Sequence, residues 1–412
     1  MPVPADVFEQ ALTLIRTHQG ELWPNFDPAR VPFVTFDGAR TRLDHAAPPE
    51  GEGWRRDGPA WWFEGRHDVL VANTATRLDD LPVAAVLLDT LSHDLSPATL
   101  AGLLVHEAFH VHQQTHPADA WSLNELDAFT YPVLDEEVFA TVLLEWDALH
   151  RALQGGPAWR DAAGEALAWR ARRAARLSPE HARYERAVER VEGLAHHVEL
   201  KFQGCVPDLT SAVRADAVRA RGYVSGAAWA ALLDRLNPTW PSLVTTAGLD
   251  LDRLLARHLS EAEASGVRHE VRLRARREVQ AARERRDEER AVIETREGPG
   301  LTVRGTRLWP LGFDPLNVVA YEDGWVLHRR FLRFGNDEVE GEVLGRACLT
   351  RCDLSPLLVR GMVELDVPGL EDARLTQDGR QLFGAGVRLS VKRGRLREVP
   401  GGWRYEPPHG EG

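Results

Sequence analysis

One stretch of twelve residues, VHEAFHVHQQTH at 105–116, constrains this chain more than any other, because it concentrates four histidines and one glutamate in a predicted helix. Ser96-Pro97 is a typical helix start, and apolar residues recur at core spacing from there to about residue 116. On such a helix His106 and His110 lie four residues apart and project from one face, so that both imidazoles can bind one ion. Glu107 lies about 100° around the axis from His106, close enough to contact a water on that ion.

The neighbours of these histidines favour a metal site over two histidines that merely share a helix. They are uncharged, as expected for a helix buried in a protein core with only its ligands facing a cleft: Leu103, Leu104, Val105, Ala108, Phe109 and Val111. The pattern therefore predicts that His106 and His110 bind a metal ion.

The HExxH segment at 105–111 resembles the active-site helix of the zincin metallopeptidases. That resemblance implies a zinc ion bound by His106 and His110. It also implies that Glu107 is the general base that activates a zinc-bound water for attack on a peptide carbonyl.

A third protein ligand is needed, and His116 is one candidate. It lies six residues after His110, which matches the third histidine of the metzincin pattern HExxHxxGxxH. That pattern needs a glycine to turn the chain back towards the metal, but Gln113 stands at this position. If the helix continues, His116 projects from another face, about 280° from His106. His116 is therefore a minor alternative.

In gluzincins the third metal ligand is a carboxylate from a downstream helix. The predicted helix at 179–203 carries Glu192 at the edge of its apolar stripe, and Gly193 after it allows another backbone to approach closely. The segment EGLA, from Glu192 on, resembles the segment that supplies the ligand glutamate in many peptidase-MA-like gluzincins. On that resemblance Glu192 is the predicted third ligand, with Glu189 as an alternative on the same helix.

Glu145 is a further alternative, because it lies within an apolar helix face where an unpaired carboxylate is costly. It could orient a ligand histidine, pair with an arginine or bind the metal directly, and we rank these in that order. Gluzincins can use an aspartate four residues after the ligand glutamate to orient a histidine, but His196 stands there, which leaves Glu145 and Glu199 as possible orienting groups.

An oxyanion donor is also expected in a zincin, commonly a tyrosine or a histidine. Tyr223 opens a helix in the segment YVSGAAWAALLDR, which is similar to peptidase-MA-like proteins, and we assign it this catalytic role alongside Glu107. A packed tyrosine beside a glycine-containing turn is the plain alternative. His196 and His197 are weaker candidates.

The order of helical and strand-like patterns along the chain predicts an α+β fold class. Apolar runs at 31–36, 60–65 and 68–74 predict a small N-terminal sheet. A helical pattern precedes this sheet at residues 3–17, and further helical patterns follow it at 96–116, 119–130, 133–154, 159–176, 179–203, 209–236, 248–264 and 266–296. After the GPG at 298–300, β-type patterns with Gly and Asp turns predominate. The CLTRC segment within them is predicted to contain two buried thiols and not a metal site.

These patterns predict three segments. Residues 1–265 would form a zincin-like metallopeptidase domain, sheet-rich over 1–95 and helical over 96–265. Residues 266–297, rich in alternating Arg and Glu, would form a charged connecting helix, and 298–412 a smaller β-rich C-terminal domain.

Composition excludes several classes of function. A net charge of −12 and a pI near 5.8 argue against a nucleic-acid-binding or anionic-membrane surface. No segment has the length of apolar sequence that a membrane span requires, the start lacks a secretory signal, and three cysteines are too few for a disulfide framework. We therefore expect a cytoplasmic protein.

The predicted function is that of a zinc-dependent metallopeptidase acting on a peptide or protein substrate. Two alternatives remain: a non-catalytic zincin-like scaffold that acts as a binding module, and a metal-dependent hydrolase of a non-peptide amide. An intact Glu107 argues against the scaffold, because a structural metal site needs no base.

Overall fold

The computed structural model describes residues 3–128, 130–211, 213–259, 264, 266–314, 317–352 and 361–408, and these residues have a mixed α+β fold. The helices are α1 Ala5–Thr17, α2 Pro97–Gln114, α3 Glu136–Gln154, α4 Trp159–Ala174, α5 Pro179–Val188, α6 Leu194–Gln203, α7 Val218–Asp234, α8 Trp240–Ala247, α9 Leu251–Ala256 and α10 His269–Glu294. A π-helical segment, Glu189–Gly193, joins α5 to α6.

The strands of the N-terminal region are β1 Phe33–Phe36, β2 Arg40–Asp44, β3 Arg55–Asp57, β4 Ala60–Glu64, β5 Thr74–Leu78 and β6 Leu81–Leu87. They form one sheet in the order β3-β4-β2-β1-β6-β5, in which only the β1–β6 pair is parallel. All four residues of β1 are buried, and so are the last five of β6, because these strands lie at the centre. α2 packs against β6 and β5.

The predicted N-terminal sheet is confirmed, but some of its strands were wrongly predicted. Strands at 31–36 and 60–65 are present with slightly shorter bounds, whereas residues 68–73 form turns and bends. β2, β3 and β6 had not been predicted, and β5 shares only Thr74 with the predicted strand at 68–74. β6 is a short, uninterrupted apolar run, and such a run lacks the alternation by which a strand is told from a buried helix segment.

Most predicted helices are present, and α2 begins where expected. The Ser96 side chain accepts a hydrogen bond from the Thr99 amide at 3.1 Å, and Pro97 occupies the first turn, where its missing N–H costs nothing. Three predictions were wrong in part. The described residues of 119–130 form only short 3-10 helices and turns, those of 209–217 before α7 are irregular, and the predicted helix at 248–264 is limited to α9; residues 129, 212 and 260–263 lie outside the described residues. α8 had not been predicted.

The strands of the C-terminal region are β7 Gly300–Phe313, β8 Val318–Ala320, β9 Trp325–His328, β10 Phe331–Gly335, β11 Val339–Leu344, β12 Cys348–Cys352, β13 Met362–Val367, β14 Arg374–Leu375, β15 Gln381–Gly384, β16 Val387–Val391, β17 Arg395–Val399 and β18 Gly402–Glu406. The long strand β7 pairs with β10 near its end and with β13 and β18 nearer its start. Burial alternates along β11 and β16, so each presents one face to the apolar core. Cys348 and Cys352 are buried thiols, as predicted.

The chain divides into two compact units. The first comprises Met1–Leu123, Ala140–Val213 and Ala217–Arg272, and the second Asn124–Phe139, Arg214–Asp216 and Leu273–Gly412. The predicted connecting helix, α10, therefore begins in the first unit and continues in the second. Among the described residues, no helix combines the length and the apolar character needed to cross a bilayer.

Candidate metal centre

The two histidines of the HExxH turn lie on the buried face of α2. Leu104, Val105, Ala108 and Phe109 are fully buried around them, which fixes the helix in the core. The side chains of His106 and His110 are 6% and 13% exposed, and their Nε2 atoms lie 3.2 Å apart. Four-residue spacing on a helix thus brings both rings to one point, as predicted.

Glu192 reaches the same point from the π-helical segment. Its Oε2 lies 3.6 Å from the Nε2 of His106 and 3.4 Å from the Nε2 of His110. A π segment contains a wider turn than an α-helix, and such segments occur frequently at functional sites. The structure thus brings together the three residues that the sequence indicated.

These three atoms fit a tetrahedral metal ion. Ligands at the corners of a tetrahedron with bonds of about 2.0–2.1 Å lie about 3.3 Å from one another, and the observed separations are 3.2, 3.4 and 3.6 Å. Two imidazoles and one carboxylate are a donor set that zinc accepts in catalytic sites. Among the described residues, no fourth His, Cys, Asp or Glu belongs to this cluster.

Glu199 orients His106. The Nδ1–H of His106 donates to Glu199 Oε2 at 3.3 Å, so Nε2 is the ring nitrogen that faces the other two candidate ligands. His196 Nδ1 donates to the same oxygen at 2.8 Å, so His106, His196 and Glu199 form a second cluster behind the first. Burial lowers the pKa of His106, but hydrogen bonds to Glu192 and Glu199 outweigh it and raise the pKa to about 10. Glu199 was one of two orienting groups left open by the sequence.

Arg219 binds the other oxygen of the candidate ligand glutamate, a contact that the sequence analysis missed. Its Nη2 donates to Glu192 Oε1 at 2.7 Å, while Oε2 faces the histidines. Burial opposes ionisation of Glu192, yet the charge of His110 and its hydrogen bonds hold its pKa well below the usual range. Arg219 lies one turn before Tyr223 on α7, and no feature of the sequence singles it out from many other arginines.

Glu107 is buried with an unpartnered oxygen. Its side chain lies in the core, and among the described residues Oε2 has no hydrogen-bond partner. Burial raises the pKa of Glu107, an effect that the charges of His106 and His110 oppose. A buried carboxylate oxygen without a partner is costly unless a water or another ligand satisfies it.

Tyr223 stacks on His106, with ring centroids 5.6 Å apart and planes inclined by 8°. Burial, followed by the negative charge of Glu192, raises the pKa of its phenol well above the usual value. The phenol therefore keeps its proton and remains a hydrogen-bond donor beside the three candidate ligands.

The alternative ligands lie elsewhere. Glu145 pairs with Arg170 at 2.9 Å and with Arg173, which corrects its leading interpretation as a histidine-orienting group and supports the arginine pairing. Glu189 also pairs with Arg170. His116 lies just after α2, where its Nδ1 is 3.0 Å from the carbonyl oxygen of His112, and it belongs to neither cluster.

Close packing of α7 determines where the π-helical segment lies. A Cβ atom added at Gly193 would lie 2.6 Å from the Gly226 Cα and 2.7 Å from the Gly222 carbonyl oxygen. Only glycine permits this backbone approach, as the residue after Glu192 suggested.

Comparisons with protein-family models, with curated proteins and with solved structures find no match to this chain. The interpretation of the centre rests on its own geometry and chemistry.

Proposed function

We propose that the protein is a zinc-dependent metallopeptidase with a zincin-like first unit of the gluzincin type. One observation carries this proposal: His106 Nε2, His110 Nε2 and Glu192 Oε2 lie 3.2 to 3.6 Å from one another, beside a buried Glu107. His106, His110 and Glu192 would hold the ion. When bound, zinc would lower the pKa of a water and polarise the scissile carbonyl.

The chemistry of the residues supports hydrolysis. Glu107 would accept a proton from the water while the water oxygen attacks the carbonyl carbon. Glu107 would then transfer that proton to the leaving amine as the C–N bond breaks. Burial raises the pKa of Glu107, which makes its carboxylate a stronger base towards the water. The protonated phenol of Tyr223 would donate a hydrogen bond to the oxyanion.

An extended peptide is the substrate that the surroundings favour. Among the described strands, β5 pairs only with β6, and therefore lies at the edge of its sheet. Gln114, one turn after His110, donates to the Ala75 carbonyl of β5 at 3.3 Å, which links this edge to the helix that carries both histidines. A sheet edge can add a peptide strand through main-chain hydrogen bonds.

The test is a comparison of wild type with Glu107→Gln. We expect both proteins to bind one zinc ion, because Glu107 is not a proposed ligand. Cleavage of casein or of a peptide library by the variant should fall by about 10²- to 10⁴-fold, the usual contribution of a general base. Glu21→Gln, which changes an exposed carboxylate, should leave both properties unchanged.

Equal activity of wild type and Glu107→Gln would refute the proposed base. Zinc binding without hydrolysis of any peptide or amide would favour the binding-module alternative, and cleavage restricted to small non-peptide amides would favour the amide hydrolase. A cytoplasmic location remains a prediction, which fractionation of the native host tests. A peptide or protein substrate, with no nucleic-acid or membrane partner, also remains a prediction, and the peptide library tests the substrate.

A further inference from the structure

Gln113 occupies a buried position between the two halves of the candidate centre. It lies three residues after His110 on α2 and is 3% exposed. Its position is the one at which a metzincin has glycine, so the sequence alone offered no role for it. A buried amide has donors and an acceptor that must all be satisfied, which makes its partners informative.

Both ends of the Gln113 amide are bound. Its Oε1 lies 2.7 Å from His110 Nδ1, and its Nε2 donates to the Val191 carbonyl oxygen at 2.8 Å. The carbonyl of Val191 can only accept, so the amide nitrogen must face it and the amide oxygen must face the histidine. That oxygen can only accept in turn, so His110 Nδ1 carries a proton, and in the neutral ring Nε2 is then the nitrogen with the lone pair that a metal can bind.

Val191 immediately precedes Glu192 in the π-helical segment. The same amide thus contacts one candidate ligand directly and the backbone next to another. α7 packs on this segment at Gly193, and the Gln113 amide holds it from the side of α2.

We propose that Gln113 is a positioning residue: it sets the tautomer of His110 and ties the backbone of Glu192 to α2, so that the two ligands keep their spacing. This inference rests on the proposed function, since it concerns the same metal centre. Removal of a group that orients a ligand typically weakens metal affinity about 10- to 100-fold.

Two variants separate the two contacts. Gln113→Met preserves a long, unbranched side chain and removes both hydrogen bonds. Gln113→Glu keeps an oxygen for His110 Nδ1–H but presents only oxygen to the Val191 carbonyl. Gln10→Met is the matched control, since it makes the same change at an exposed glutamine on α1.

The measurements are the zinc dissociation constant from competition with a chelator and the visible spectrum of the cobalt-substituted full-length protein. We expect Gln113→Met to weaken zinc binding about 10- to 100-fold and to alter the cobalt spectrum. Gln113→Glu should also bind zinc more weakly than wild type, because the tie to Val191 is lost. Gln10→Met should match wild type in both measurements. Circular dichroism of the metal-free proteins verifies that each is folded.

The outcomes distinguish this inference from the proposed function. If wild type binds no zinc, both the proposed function and the role of Gln113 are refuted. If wild type binds zinc and Gln113→Met binds it equally tightly with an unchanged cobalt spectrum, only the role of Gln113 is refuted. If Gln113→Met binds zinc more weakly than wild type but Gln113→Glu binds it as tightly as wild type, the role of the hydrogen bond to Val191 is refuted.

Discussion

At the scale of single residues, the first unit contains two separate groups of buried charges that differ in the partners of their carboxylates. Around the candidate centre, Glu192 and Glu199 face histidines. Behind them Glu145, Glu185 and Glu189 pair with Arg170 and Arg173, and all five side chains are less than 10% exposed. A buried charge is tolerated only when it is paired, so both groups satisfy the same requirement with different partners.

Arg173→Met tests whether the arginine group is structural. The change leaves Glu145 and Glu185 each without one cation, so we expect the free energy of unfolding to fall by about 3–5 kcal/mol. Zinc affinity of the folded protein should stay within about threefold of wild type, because neither carboxylate contacts the centre. Urea unfolding and chelator competition measure the two quantities.

Arg172→Met is the matched control for that experiment, since Arg172 is the exposed neighbour on α4. Its effect on stability should remain within about 0.5 kcal/mol. A large loss of zinc affinity in Arg173→Met with unchanged stability would contradict our assignment and would connect Glu145 to the metal.

At the scale of elements, the contact between α7 and the π-helical segment determines where Glu192 lies. A Cβ atom at Gly226 would lie 2.5 Å from the Glu189 carbonyl oxygen and 2.7 Å from the Gly193 Cα. These are backbone atoms, which cannot move aside as a flexible side chain can. The crossing therefore depends on glycine in both elements.

Gly226→Ala should push the π-helical segment away from α7. We expect the free energy of unfolding to fall by about 3 kcal/mol, the upper part of the usual range for overpacking, and zinc affinity to fall by at least about tenfold. Gly266→Ala is the control, because a Cβ atom there would meet open space. Wild-type zinc affinity in Gly226→Ala would show that this contact does not position Glu192.

Elements with a strong periodic pattern were predicted best. α2 was predicted from its start signal and apolar spacing, and α10 from its charge alternation. β6 was missed because a central strand buried on both faces has no alternation, and the 3-10 turns after α2 were read as helix. The π-helical segment was likewise not predicted, since the pattern of 179–203 is compatible with an uninterrupted α-helix.

At the scale of the whole molecule, acid sensitivity should arise partly from His328 in the second unit. Its ring is buried in the sheet, with Nε2 3.1 Å from Thr350 Oγ1, and burial lowers its pKa from 6.5 to about 3. The unfolded chain therefore binds a proton on this residue below about pH 6.5, whereas the folded protein does not until about pH 3. Stability is full above pH 6.5 and falls as the pH decreases, by at most about 1.4 kcal/mol per pH unit.

His328→Gln removes that titration. Between pH 7 and pH 5, the free energy of unfolding of wild type should fall by roughly 2 kcal/mol more than that of the variant. The difference is expected in the unfolding transition of the second unit. Urea unfolding at both pH values measures it, and the comparison cancels the other titrating groups. A difference independent of pH would mean that His328 is protonated in the folded protein or solvated.

The sequence by itself determined the α+β class and the convergence of His106 and His110, because both follow from local periodicity: a helix returns to the same face after four residues whatever surrounds it. Only the tertiary structure decided which of several carboxylates faces these histidines, that Arg219 and Gln113 hold the candidate ligands, and that Glu145 faces arginines. Those contacts join residues distant in the chain, and their geometry depends on how α2, the π-helical segment and α7 pack, which no local pattern encodes.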